Sequence, residues 1–411
     1  MSVALRAAIA HDGPAILPRE PLKHGSRGAD ELLGDPAVLE AGRVPDEVAP
    51  AVAVVIETSG SSGVPKRVAL SGDALLASAA ASEGVLGGPG QWLLALPTHY
   101  IAGVQVLVRS IAASTTPLAL PPGHFSAAQF AERAAELTEP LRFTSLVPAQ
   151  LARLVEAARE DVGIQRAVAR FDAILVGGQA LPESLAARAA DLGFRIVRTY
   201  GSSETAGGCV YDGRPIGRTR ARVVNGELEL TGPSLAEGYL GDEALTVDRF
   251  VVDEEGRWYR TNDGGTVTDG LVEVTGRLDN VIISGGVKVS LDRVERIVQS
   301  LPGFEQAVVV ARPSEAWGQV AVVVVVRAAS ASAAAGAGAE GGRSAVGAAV
   351  GAEGVGSADA AASDALERVR RAVVEAAGRA AAPSAIVAVD RIPRLSSGKP
   401  DRLTLAAQTT P

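Results

Sequence analysis

A chain of 411 residues, 47% hydrophobic and 21% charged, is long enough for two or three domains and can bury a sizeable core. Its formal net charge of −8, with no cluster of Lys and Arg, excludes a nucleic-acid-binding surface. The single Cys209 excludes an intrachain disulfide and fits a reducing compartment; with no histidine near it in sequence, it reads as a small packing residue. No secretory signal pattern stands at the N-terminus, and the Val322–Val326 run is too short to span a bilayer. A cytoplasmic protein without stable membrane insertion is expected.

Residues 50 to 200 alternate between two patterns. Aliphatic runs at Val52–Ile56, Trp92–Leu96, Phe143–Val147, Ala173–Val176 and Arg195–Thr199 predict strands. Ala- and Leu-rich stretches at Gly72–Val85, Ser126–Leu137, Ala149–Arg159 and Pro182–Leu192 predict helices between them. This alternation predicts an α/β fold with mostly parallel sheets and with ligands at the carboxyl ends of strands. After residue 220, short strands at Glu227–Leu230, Trp258–Thr261 and Leu271–Thr275 predict a small β-rich subdomain.

From Asp279 a smaller α+β domain is predicted. It has a helix through Leu291, Val294 and Leu301, strands at Gln306–Val310 and Gln319–Val326, a helix at Asp364–Ala377 and a strand at Ala385–Val389. An Ala/Gly-rich stretch at about 328–363 reads as a flexible insertion, because it lacks the apolar surface needed to offset ordering entropy. The expected division is therefore 1–278 and 279–411.

Five motifs carry chemistry. Thr58-Ser59-Gly60-Ser61-Ser62-Gly63-Val64-Pro65-Lys66 follows a predicted strand and offers hydroxyls, backbone N–H groups and a cation to phosphate oxygens. A generic Ser/Gly turn has the same composition, and the spacing is not that of a Walker loop. Arg198-Thr199-Tyr200-Gly201-Ser202-Ser203-Glu204-Thr205 places a carboxylate among hydroxyls, suited to Mg²⁺ or to capping a helix. Tyr259-Arg260-Thr261-Asn262-Asp263 holds an acid able to accept from a ribose diol, or a simple turn. Gly276 to Val289 spans the expected domain boundary, and Ser396-Ser397-Gly398-Lys399 carries a lysine near the C-terminus. Only four of the 39 basic residues are lysines (Lys23, Lys66, Lys288 and Lys399), and three of these fall in the motifs. A compact ammonium does work that a broad guanidinium cannot.

In this order and spacing the motifs resemble the adenylate-forming superfamily of acyl- and aryl-CoA ligases, peptide-synthesis adenylation domains and luciferases. The resemblance runs from Thr58 to Arg402. It implies an AMP-forming acid–thiol ligase that uses ATP, Mg²⁺ and CoA, with a mobile C-terminal domain. By the same resemblance Thr58, Ser59, Gly60, Ser61, Ser62, Gly63 and Lys66 hold the triphosphate. Gly177 and Gly178 line the adenine, with Gly178 also binding the acid, Tyr200 packs on the adenine, Gly201 binds ATP, and Thr205 lies near the reacting phosphate. Glu204 is the Mg²⁺ ligand. Asp263 and Arg277 contact the ribose, Asp279 is the hinge, and Gly285 and Gly286 line the pantetheine tunnel. Lys399 bridges the acid and the α-phosphate. Asn262 departs from the family, which writes Gly there, and a local change in the turn is expected.

The stretch Leu96–Ser110 resembles that of the o-succinylbenzoate–CoA ligases of menaquinone synthesis, implying an aromatic carboxylic acid as partner. On that resemblance His99 gates the acyl channel and Arg109 binds the second carboxylate, a task suited to a bidentate guanidinium. The competing reading of Arg109 is a surface helix residue paired with a Glu. For the whole chain the alternatives are another aryl- or fatty-acyl-CoA ligase, a stand-alone adenylation domain, or a nucleotide-binding protein without catalysis.

Overall fold

The structure, a computed structural model, describes residues 1–19, 47–58, 65–327, 355–394 and 399–409. The chain packs as two compact units. One comprises Met1–Leu181, Leu185–Thr261 and Thr266–Glu273, and the other Pro182–Ser184, Asn262–Gly265 and Val274–Pro411.

The first unit opens with α1 (Ser2–Ile9), β1 (Val52–Thr58), β2 (Lys66–Ser71), α2 (Gly72–Leu86), β3 (Gln91–Leu94) and α3 (Ile101–Ala112). It continues with β4 (Leu118–Ala119), α4 (Ala127–Ala135), β5 (Arg142–Leu146), α5 (Pro148–Glu160), α6 (Val162–Ala169) and β6 (Ala173–Val176). After α7 (Glu183–Asp191) come β7 (Ile196–Ser202), β8 (Gly207–Tyr211), β9 (Arg214–Pro215), β10 (Arg220–Val224), β11 (Glu227–Thr231) and β12 (Gly238–Tyr239). Then follow α8 (Glu243–Arg249), β13 (Phe250–Asp253), β14 (Gly256–Thr268) and β15 (Leu271–Arg277), of which Asn262–Gly265 and Val274–Arg277 belong to the second unit.

The alternation at 90–200 yields a seven-stranded sheet in the order β4-β3-β5-β6-β7-β8-β9. Strands β4 to β7 run parallel, while β8 and β9 return antiparallel. Helix ends are set by local chemistry. Ser71 caps α2 through its hydroxyl, and Gly87 closes it with a φ of 90° that only glycine adopts without strain. Phe130, Leu151, Leu154, Phe171 and Ile174 form one core against this sheet, each side chain contributing about 1.5–3 kcal/mol by burial. Trp92, Phe143, Tyr211 and Ile216 form another core. Helix α3 was not evident as a helix in sequence, because it is apolar nearly all round; it is buried from Gly103 to Ser110.

Val52–Thr58 does not join the parallel sheet. Strands β1 and β2 pair antiparallel, and β12 adds to β2, making a separate three-stranded sheet. Only seven residues separate β1 from β2, too few for the crossover that a parallel pair needs. Of these, Ser59, Gly60, Ser61, Ser62 and Gly63 lie outside the described residues. The expected β-rich subdomain is a five-stranded sheet in which β10, β11, β14 and β13 lie in that order and β15 pairs with β14.

In the second unit are β16 (Val281–Ser284), β17 (Val287–Ser290), α9 (Leu291–Gln299), β18 (Val308–Ser314) and β19 (Gly318–Val326). They are followed by α10 (Val355–Ala377), β20 (Ala385–Val389) and α11 (Arg402–Gln408). The sheet order is β17-β16-β19-β18, with β20 parallel to β19. Alternate residues of β19 face two cores. Ala321, Val323 and Val325 pack with Val294, Val298, Val369 and Val373, whereas Val322 and Val324 pack with Val308 and Leu405. Residues 328–354 of the predicted insertion lie outside the described residues. Helix α10 begins at Val355 rather than at Asp364, since its Ala-rich start has high helix propensity.

Candidate active site

Within the first unit, Glu204 and Thr205 sit in a single 3-10 turn at the carboxyl end of β7, and both are buried. The Thr205 hydroxyl accepts from the Ser202 amide at 2.9 Å and donates to the Gly207 carbonyl at 2.8 Å, which fixes the turn. Ala206 follows with φ of 49°, an unusual value for a residue with a Cβ. Its carbonyl receives hydrogen bonds from Ser78 Oγ at 2.9 Å and Gln105 Nε2 at 2.8 Å, and these hold the strained backbone in place.

Tyr239 brings two motifs together. Its phenol donates to Glu204 Oε1 at 2.9 Å, and its ring centroid lies 5.9 Å from Lys66 Nζ. Strand β12 pairs Tyr239 opposite Val68, two residues along β2 from Lys66. Tyr259 joins the group from β14, its phenol close enough to feel Glu204, Tyr239 and Tyr200 electrostatically. Burial, reinforced by the Glu204 charge, pushes both the Tyr239 and Tyr259 phenols well above their ordinary range. Thr58 pairs with Lys66 in the β-ladder, and its hydroxyl donates to the Lys66 carbonyl at 3.4 Å. Gly177, Gly178, Tyr200 and Gly201 lie at the carboxyl ends of the adjacent parallel strands β6 and β7. Tyr239 escaped the sequence reading, because no local pattern distinguishes a lone Gly-Tyr pair.

A second cluster surrounds Arg109. The residue is buried on α3, its guanidinium donating to Tyr211 Oη at 3.3 Å and lying 4.8 Å from the Trp92 ring centroid. Ser82 Oγ is 2.8 Å from the same phenol oxygen. Among the described residues Arg109 has no carboxylate partner, which removes the reading of a surface Arg–Glu pair. His99 lies just ahead of α3, half-buried, with its ring 4.2 Å from that of Tyr100. Close passage of the chain requires Gly103, since a Cβ there would strike the Pro97 carbonyl oxygen.

In the second unit, the two residues expected to contact ribose are neighbours, with Arg277 Nε 3.7 Å from Asp263 Oδ1. Arg277 also grips Asp279 through two hydrogen bonds, at 3.0 and 2.8 Å. Asn262 has φ of 61°, the left-handed region available to glycine and tolerated by Asn, so the departure at this position leaves that backbone conformation accessible. Gly285 and Gly286 form the two-residue turn between β16 and β17, with φ of 56° and 81°, as the favoured hairpin turn demands. Lys399 is exposed just ahead of α11.

A cavity of about 320 Å³ in the same unit is lined by Ser284, Arg312, Ser314, Trp317, Arg379 and Ser384. Trp317, 49% exposed, packs on Gly285, and its carbonyl accepts from the Gly285 amide at 2.9 Å. The sequence reading passed over Trp317 and Arg379; an exposed tryptophan in a chain with only three was the available signal.

Residues 6–240 match the family of AMP-binding enzymes. The chain is 38% identical over 324 residues to a probable 2-succinylbenzoate–CoA ligase of Mycobacterium tuberculosis H37Rv, covering 78% of this chain and 79% of that protein. It is 31% identical over 278 residues to the 2-succinylbenzoate–CoA ligase of Escherichia coli K12, covering 64% of this chain and 55% of that one. Among solved structures it is similar to o-succinylbenzoate CoA synthetase from Bacillus subtilis in complex with the acyl-adenylate intermediate OSB-AMP. That likeness has a TM-score of 0.67 and 24% identity, over 86% of this chain and 69% of that one. It is also similar to the amide bond synthetase McbA from Marinactinospora thermotolerans, with a TM-score of 0.68 and 23% identity over 100% and 79%. At these identities the structural likenesses show the fold.

Proposed function

The chain belongs to the AMP-binding enzyme family, and from that premise we propose that it is an o-succinylbenzoate–CoA ligase acting through an acyl-adenylate. The observation that carries the reading is the meeting of Lys66, Tyr239 and Glu204, which joins two separate motifs at strand ends. A carboxylate is a weak nucleophile facing a polyanion, so repulsion must be neutralised before it attacks the α-phosphorus. Lys66 and Lys399 supply the positive charge, and alignment of the acid supplies proximity. Pyrophosphate leaves, giving the mixed anhydride; the CoA thiol then attacks the acyl carbon and AMP leaves.

The residues fit Mg²⁺. Glu204, a buried carboxylate in the turn that ends β7, would hold it together with phosphate oxygens, an arrangement open to an ion that needs only one or two carboxylates. When bound, Mg²⁺ neutralises phosphate charge. Tyr239 orients the Glu204 carboxylate for that role by occupying one of its oxygens.

The acid is assigned from Arg109 and from the names of the relatives. A guanidinium buried without a carboxylate partner is costly, and an acid with a second carboxylate would offset that cost. His99 gates the acyl channel beside α3. The nucleotide end of CoA is assigned to the cavity beside Gly285 and Gly286, where Trp317 can stack on a base and Arg312 and Arg379 can meet phosphates. Asp279 is the hinge, and the ATP-binding roles of Thr58, Gly178, Tyr200, Gly201, Asp263 and Arg277 follow the same reading.

The test is pyrophosphate release and product mass with ATP, Mg²⁺ and o-succinylbenzoate, benzoate, a medium-chain fatty acid or amino acids, each with and without CoA. A thioester formed from o-succinylbenzoate alone is expected. A thioester from another acid would replace the substrate, and adenylate that never passes to CoA would overturn the ligase reading.

A further inference from the structure

Lys399 has to present its ammonium at a defined place, yet it is an exposed residue on a connecting segment. What holds its base within the second unit is the start of α11. Arg402 is clamped fork-to-fork on Glu295 of α9, with Nη1 to Oε2 at 2.7 Å and Nη2 to Oε1 at 2.9 Å. The same Nη1 donates to the Val309 carbonyl at 2.7 Å, and the Val309 amide donates to Glu295 Oε2 at 2.7 Å. The pair therefore ties α11 to both α9 and β18. On the other side of Lys399, Arg394 bridges Pro400 and the Asp401 amide donates to the Pro393 carbonyl at 2.9 Å. Asp401 in turn caps α11 through Thr404.

Asp292, one turn earlier on α9, extends this platform toward the segment around Asp279. Its Oδ1 accepts from Asn280 Nδ2 at 2.6 Å and lies 3.7 Å from Arg402 Nη2, and its Oδ2 accepts from the Arg277 amide at 2.8 Å. One carboxylate thus touches residues on both sides of Asp279 as well as the arginine that anchors the lysine segment.

We propose that Arg402, Glu295 and Asp292 are the positioning residues of Lys399, acting on acyl-adenylate formation and not on thioester formation. The proposal rests on the function given above, in which Lys399 supplies positive charge for attack on the α-phosphorus, the first half-reaction. Arg402 reaches no reacting atom in this account; it acts through the placement of the lysine.

The experiment uses the full chain and its Arg402→Gln, Glu295→Gln, Asp292→Asn, Lys399→Ala and Lys399→Ala/Arg402→Gln variants. Adenylation is followed as o-succinylbenzoate-dependent ATP–pyrophosphate exchange. Thioester formation is followed separately from synthetic o-succinylbenzoyl adenylate and CoA, and folding by thermal melting. Misplacing the ammonium by about 1 Å is expected to lower the adenylation kcat about 10- to 100-fold in Arg402→Gln, with thioester formation kept within about twofold. The double variant is expected to be no slower in adenylation than Lys399→Ala, because both changes remove one function. Should Arg402→Gln not fold, Glu295→Gln carries the same expectation through a substitution of equal size. Parallel loss of both half-reactions in a folded variant, or wild-type adenylation in all three single variants of the platform, overturns the proposal. A wild-type protein that exchanges pyrophosphate with no acid defeats the functional reading itself, and this proposal with it.

Discussion

The phenol of Tyr239 donates a 2.9 Å hydrogen bond to Oε1 of the buried Glu204, while its ring lies 5.9 Å from the ammonium of Lys66. A residue outside every recognised motif is thereby the contact between two of them. Tyr239→Phe is expected to destabilise the fold by about 1.5–3 kcal/mol, because a buried carboxylate loses a donor. The KM for ATP with Mg²⁺ should rise as Glu204 loses its fixed orientation. Urea unfolding and steady-state kinetics check this; unchanged stability and KM would show that the bond is dispensable.

Tyr239 and Tyr259 also have a signature in alkali. Burial raises both phenols above the usual value, so the folded state holds their protons more tightly than the unfolded state does. Their contribution to stability is fully present below the unfolded value of about 10 and is lost as pH climbs above it. Phenolate absorbance should show that at least two of the five tyrosines stay protonated at about pH 11 until the protein unfolds. Ionisation of all five at the ordinary value while the fold is intact would contradict the burial.

Cys209 is 3% exposed, and burial pushes its thiol up to about 12. The native protein should therefore resist an aromatic disulfide reagent at neutral pH and release one thiol equivalent only in denaturant. Rapid modification of the native protein would instead indicate an accessible thiolate.

A substitution at Arg109 tests substrate recognition apart from stability. Arg109→Met is expected to weaken o-succinylbenzoate by about 2–5 kcal/mol, read as KM or as inhibitor affinity, with the KM for ATP unchanged. The melting temperature should hold or rise, since the change removes a buried charge with no carboxylate partner among the described residues. Retained affinity for the acid would return Arg109 to a packing role with Trp92 and Tyr211.

Asn262 is expected to tolerate glycine within a few tenths of a kcal/mol, whereas Asn262→Val should cost about 1–2 kcal/mol or more, because a β-branched side chain resists a φ of 61°. Thermal unfolding of the two variants distinguishes these outcomes. Equal stability would place the residue outside the left-handed region in solution.

Much of the α/β plan was legible from local pattern. Strands β5 and β6, helix α5 between them and the valine alternation of β19 are determined by residues within a few positions of one another, through burial on one or two faces. Ordered glycines, hydroxyls and rare lysines likewise marked Thr58–Lys66, Ser202–Thr205 and Lys399 before any contact was visible. Periodicity carries no record of partners far along the chain. It could not reveal that β1 turns back into a sheet of its own, that Tyr239 reaches Glu204 across 35 positions, or that Arg402 clamps Glu295 across 107. It also read Arg109 as open to a surface pairing, since an apolar helix buried on every side has no face to betray it. By itself the sequence determined which chemistry the chain carries and where many of its strands and helices run. Tertiary structure alone decided which side chains meet, because hydrogen bonds and ion pairs between distant segments form only once burial has brought those segments together.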